Sequence, residues 1–83
     1  MGSAISIYAH GPDEDIASKA LVSTLIAAGY DIIDYRYNSQ ENYVKIDRFG
    51  TYKFTFTVIL SARRTHVECV RANILLDIPY MSF

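Results

Sequence analysis

The sequence predicts an α+β fold, a two-layer α/β sandwich of order βαβββα with an antiparallel meander of the second, third and fourth strands and both helices on one sheet face. Three observations lead there. Apolar and polar residues alternate over 4–10, 31–37, 42–48 and 51–60, the period of half-buried strands. Apolar residues over 13–28 recur at helical spacing. Thr65-His66-Val67-Glu68 has the form of a capping box ahead of a further apolar run.

In the first strand, Ile5, Ile7 and Ala9 alternate with Ser6, Tyr8 and His10. Gly11-Pro12 breaks it. Pro12 suits a first helical turn, and Asp13, Glu14 and Asp15 set negative charge on the positive end of the helix dipole. Gly29 reads as the residue just past the helix end, with Tyr30 placed to contact Leu25. Ile16, Ala17, Ala20, Leu21, Leu25 and Ala28 form the expected buried side, leaving Val22 and Ile26 as an exposed apolar pair.

The next strand sends Ile33, Tyr35 and Tyr37 one way and Ile32, Asp34 and Arg36 the other. After a polar loop, Val44 and Ile46 alternate with Tyr43, Lys45 and Asp47, and Phe49-Gly50 is the expected hairpin turn. The clearest alternation follows: Tyr52, Phe54, Phe56, Val58 and Leu60 face the core, and Lys53, Thr55 and Thr57 face out. The closing helix is expected from Thr65, with Val67, Val70 and Ile74 buried and Cys69, Ala72 and Leu76 opposite, until Pro79 ends it. A competing reading makes 74–78 a short fifth strand. A right-handed crossover would place the first two strands parallel and adjacent.

At 83 residues the chain has room for one domain, 1–83, and such a small chain buries only about 60% of its unfolded surface. Its hydrophobic content of 51%, with seven Tyr and four Phe, exceeds what a small core needs. The excess predicts an exposed apolar surface that meets a partner. Cys69 is the single cysteine, which excludes an internal disulfide and fits a reducing, cytoplasmic setting. No run approaches the ~18 apolar residues of a membrane span, and the first ten residues do not read as a signal peptide. Gly2 and Ser6 fit the loose myristoylation pattern, which an ordinary start fits equally. The net charge of −1 divides unevenly, with acids dominating the first half and bases the second.

Motifs for chemistry are sparse. The loop at Gly11 has one glycine and three carboxylates where a phosphate loop needs several glycines and a free helix N-terminus. No metal or cofactor site is predicted. His10 with Asp13, or His66 with Cys69, are the residues an unrecognised enzyme would use as acid–base or nucleophile–base pairs, but the first has no visible nucleophile beside it and the Cys69 thiolate has no visible oxyanion partner. Asp34, Glu41 and Lys45 miss the spacing of a metal-dependent nuclease.

Helix, meander and helix over 13–77 is similar, in element order only, to a double-stranded-RNA-binding domain. That family has a Lys-rich start to its last helix, where this chain has only Arg63 and Arg64. Recognition of single-stranded RNA needs aromatics on the open sheet face, which offers Tyr8 and Tyr43. The expectation is therefore a non-catalytic protein–protein interaction module, an inhibitor or adaptor of the kind phages and mobile elements use against host or defence machinery. Its partner is another protein or itself as a homodimer, with no membrane role. RNA binding is the alternative. The expected docking residues are Val22, Ile26, Arg63, Arg64, Cys69, Leu76, Tyr80, Met81 and Phe83, with Tyr8, Arg36, Lys45 and Lys53 on the open sheet face.

Overall fold

A computed structural model describes residues 2–62 and 67–79. These form β1 (Gly2–Gly11), α1 (Glu14–Ala27), β2 (Ile32–Tyr37), β3 (Asn42–Ile46), β4 (Gly50–Leu60) and β5 (Val67–Pro79). The strands make one sheet in the order β1-β5-β4-β3-β2, antiparallel at every step, with α1 packed on one face. The α+β class and the meander of β2, β3 and β4 are as expected; the end of the chain is not.

The segment expected as the closing helix is a strand of 13 residues, far longer than the short strand at 74–78 that competed with it. Val70, Ala72, Ile74 and Leu76 face α1, and Arg71, Asn73, Leu75 and Asp77 alternate with them. That period of two outweighs the capping-box pattern, whose Thr65 and His66 lie outside the described residues. β5 runs between β1 and β4 for much of its length, and a central strand needs an apolar face against the core. The same strand corrects the first crossover. β1 and β2 point the same way, but β5, β4 and β3 separate them. One helix, not two, covers the sheet among the described residues, and the element order no longer matches the RNA-binding arrangement.

The chain builds α1 from local signals. Asp13, not Pro12, begins it: the Asp13 Oδ1 accepts a hydrogen bond from the Ile16 N–H at 2.9 Å, and Glu14 and Asp15 fill the first turn. At the other end Gly29 takes φ 95°, its N–H donates to the Ile26 carbonyl, and the Tyr30 N–H donates to the Leu25 carbonyl at 3.1 Å. This is the Schellman closure that the glycine predicted. The buried face is turned from the expected one. Ser18 and Val22 point inward and Ile16 is 44% exposed. Ser18 tolerates burial because its hydroxyl donates to the Asp15 carbonyl at 2.8 Å.

Ala17, Leu21 and Leu25 pack on Ala9, Val44, Ile46, Phe54, Val70, Ala72, Ile74 and Leu76. Tyr37 and Phe56 meet edge to face at 5.2 Å, and the Tyr37 hydroxyl donates to Glu14 at 3.0 Å, tying the end of β2 to the start of α1. A bulge between Ile32 and Asp34 changes the phase of β2, so Ile32 joins the core and Ile33 is exposed. The β3–β4 turn is Asp47-Arg48-Phe49, with Arg48 at φ 70°, rather than the expected Phe49-Gly50.

β4 is shared along its length. Gly50–Lys53 pair with β3, and Phe54–Leu60 pair with β5. This stagger draws the molecule out to 49 × 23 × 22 Å, with a radius of gyration of 14.0 Å against the ~12 Å of a compact chain this size. No helix among the described residues is long and apolar enough to cross a membrane.

Candidate binding surface

The helix covers one sheet face only, and strand alternation fixes what the other presents. Register sets its side chains in rows across the strands. Tyr8, Asn73 and Thr55 form one row; His10, Arg71 and Thr57 the next; Arg36, Tyr43 and Lys53 a third; Asp34, Lys45 and Thr51 a fourth. Tyr8, Arg36, Lys45 and Lys53 therefore share the open face, as the sequence suggested.

Two cation–aromatic pairs stand on this face. The Arg71 guanidinium lies 5.2 Å from the centre of the Tyr8 ring, and that of Arg36 lies 5.7 Å from the Tyr43 ring. The second pair is neutralised. Arg36 reaches Glu41 at 3.5 Å, and the Tyr43 hydroxyl donates to Asp34 at 3.1 Å. Partial burial, then the bond to Asp34, hold the Tyr43 phenol above its ordinary range, against the opposing pull of Arg36. Glu41 is placed by an Asx turn in which Asn38 Oδ1 accepts from the Gln40 and Glu41 N–H groups, each at 2.7 Å.

The Tyr8–Arg71 pair differs. Among the described residues no carboxylate lies within ion-pair distance of Arg71, Lys45 or Lys53. Thr55 and Asn73 beside it bond to each other at 3.0 Å, while Tyr8 is 50% and Leu75 58% exposed. Beside Tyr43, a cavity of about 460 Å³ is lined by Gln40, Glu41, Asn42, Tyr43, Lys53, Phe54 and Thr55.

The structure does not gather the other expected docking residues into one surface. Val22 is 9% exposed, because α1 turns it inward, and Leu76 is 1% exposed, because β5 is a strand whose even-numbered residues face the helix. Both are corrections. Ile26 is 57% exposed on the helix, and half-buried Cys69 sits opposite Ile59 on the open face. Arg63, Arg64, His66, Tyr80, Met81 and Phe83 lie outside the described residues. Arg71, Asn73 and Leu75 were missed as members of the open face, although the alternation of 70–77 carried the signal.

Of the two residue pairs considered for catalysis, Asp13 is engaged in capping α1 and His66 is outside the described residues. No three His, Cys, Asp or Glu side chains among the described residues converge to hold a metal ion. Compared with known proteins, the chain matches no family model, no curated protein and no solved structure.

Proposed function

We propose that this chain is a non-catalytic module that works by occupying a surface of another protein, as inhibitor or adaptor, through the open face of its sheet. The observation that supports this reading best is the Tyr8–Arg71 pair, a guanidinium over a tyrosine ring on an uncovered face with no carboxylate within ion-pair distance among the described residues. Tyr and Arg are the residue types that most often dominate binding energy at protein interfaces. Lys45 and Lys53 on the same face select a partner that presents acidic groups, and exposed Leu75 adds apolar area.

The test is capture from the native host with wild-type chain, and with Tyr8→Ala/Arg71→Glu as the comparison. A specific partner should be retained by the wild type and bound at least about tenfold more weakly by the double variant, the loss expected for removal of a central anchor. Equal capture by both proteins would defeat the assignment of this face.

A second reading has an observation of its own. Tyr8 and Tyr43, each with an arginine over its ring, are also platforms on which bases of single-stranded RNA can stack. Salt separates the two: RNA affinity would fall steeply and log-linearly between low and moderate ionic strength.

A further inference from the structure

We infer that the unpaired edge of β4, from Thr55 to Leu60, is the site at which a second copy of this chain adds its own β4 to form a dimer. β4 lies between β5 and β3 in the sheet, yet β3 pairs only with Gly50–Lys53. Beyond that point the β3-side edge of β4 has no partner among the described residues. Its backbone N–H and C=O groups are therefore open to another strand.

Natural edges are usually protected by charge, proline, a bulge or a covering element. The outer edge strand β2 has both a bulge at Ile33 and the charged pair Asp34 and Arg36. Thr55-Phe56-Thr57-Val58-Ile59-Leu60 has none of these and is built from β-branched and aromatic residues apart from Leu60. Beyond Phe56, whose ring packs on Tyr37, its inner face is also bare. At the level of Val58, α1 crosses over Gly11 of β1, whose missing side chain leaves room for Ile16 and Ala17, two strands away from β4. Val58 and Leu60 are thus each 51% exposed and Val67 is 44% exposed. β1 also has an uncharged outer edge over Ala4–Ala9, with Ile5 40% and Tyr8 50% exposed, but α1 packs against its inner face, where Ala9 is buried.

A second copy is the occupant that this chemistry fits. In a two-fold antiparallel pair a residue on the axis meets its own copy and the others meet residues equally far on the opposite side, and Thr55–Leu60 brings no charge to any of these pairs. With the axis at Val58, Val58 meets its own copy, Phe56 meets Leu60, and Thr57 meets Ile59. The apolar residues fall together on the inner face and the β-branched pair on the outer. The cavity at Gln40–Asn42 and Phe54–Thr55 lies at the foot of the free edge and leaves space where the incoming strand ends. A ladder this short lies at the weak end of stable interfaces, below about 1,200 Å².

Sedimentation of the full chain over a wide concentration range tests the pairing. Wild type should pass from monomer to dimer with rising concentration. Val58→Lys, which sets two like charges face to face on the axis, should weaken association at least about tenfold while keeping the wild-type circular dichroism spectrum. Mixing Val58→Lys with Val58→Glu should restore a heterodimer, which a merely unfolded variant would not do. A wild type that stays monomeric, a Val58→Lys protein that dimerises like wild type, or folded variants that fail to pair when mixed would each overturn the inference. The open face is untouched by these changes, so partner capture through Tyr8 and Arg71 is decided separately.

Discussion

Leu75 and Leu76 are adjacent residues of one type, and the structure assigns them opposite fates. Leu76 faces α1 at 1% exposure, and Leu75 points to the open face at 58%. Replacing Leu76 with Ala leaves a cavity in the core, for which buried leucines lose about 2–5 kcal/mol. At Leu75 only about two-fifths of the side chain is shielded. With a full burial value of ~1.5–3 kcal/mol, Leu75→Ala should cost about 1 kcal/mol or less. In a domain this small each kcal/mol moves the melting temperature by roughly 4–8 °C, so Leu76→Ala should lower it by at least about 8 °C. Urea and thermal melts followed by circular dichroism measure both variants, with tyrosine fluorescence as the second probe because the chain has no tryptophan. A helical closing segment makes the opposite forecast, with Leu76 turned away from the core and cheap to truncate. If Leu75→Ala costs as much as Leu76→Ala, the strand assignment of β5 and its register with β1 are wrong.

Two further outcomes follow from single contacts. A Cβ at Gly11 would lie 2.8 Å from both the Ala17 backbone nitrogen and Ile16 Cγ2; the side chain can yield but the backbone cannot. Gly11→Ala should therefore cost about 1–3 kcal/mol by overpacking, and an unchanged melting temperature would show that α1 does not press on β1 there. At alkaline pH the hydroxyls of Tyr37 and Tyr43 matter. The hydrogen bond to Glu14, then burial, raises the Tyr37 phenol, and burial, then the bond to Asp34, raises that of Tyr43. Their stabilising contribution is fully present below the unfolded value of about 10 and is lost as pH rises through the higher folded values. Tyrosinate absorbance should show two late-ionising phenols that Tyr37→Phe and Tyr43→Phe remove. Uniform titration of all tyrosines would refute the two bonds.

What was legible in the sequence was what neighbours in the chain decide. The Gly29 closure, the acidic first turn of α1 and the alternation of 52–56 all depend on a few adjacent residues, and all stand. Val58 and Leu60, expected in the core, keep the phase but are each 51% exposed, because α1 does not reach them. The failures have one physical source, which is that local patterns do not say what lies on the far side. Val70–Leu76 is apolar enough to read as a helix until β1 and β4 are placed on its two edges. The rotation of α1 is hidden for the same reason, since Ser18 looks polar until its hydroxyl is seen to bond within the helix. The bulge at Ile33 turns Ile32 inward and Ile33 outward while Asp34–Tyr37 keep their expected alternation, and no residue type there announces it.

The candidate surface was half visible on the same grounds. Tyr8, Arg36, Lys45 and Lys53 could be placed because their strands alternate cleanly, but Arg71 was hidden in the misread segment. That residue changes the meaning of the face. Without it Tyr8 is an isolated aromatic; with it, the ring holds a guanidinium over a sheet that nothing covers among the described residues. Self-pairing through β4 would extend this face rather than consume it. A two-fold axis between antiparallel edge strands stands perpendicular to the sheet, so both open faces would point the same way. Two Tyr8–Arg71 anchors on one side of a continuous sheet would engage a repeated or dimeric partner at two points, and the second contact would form at high effective concentration. A weak edge contact and a modest open face would then reinforce each other, which neither achieves alone at 83 residues.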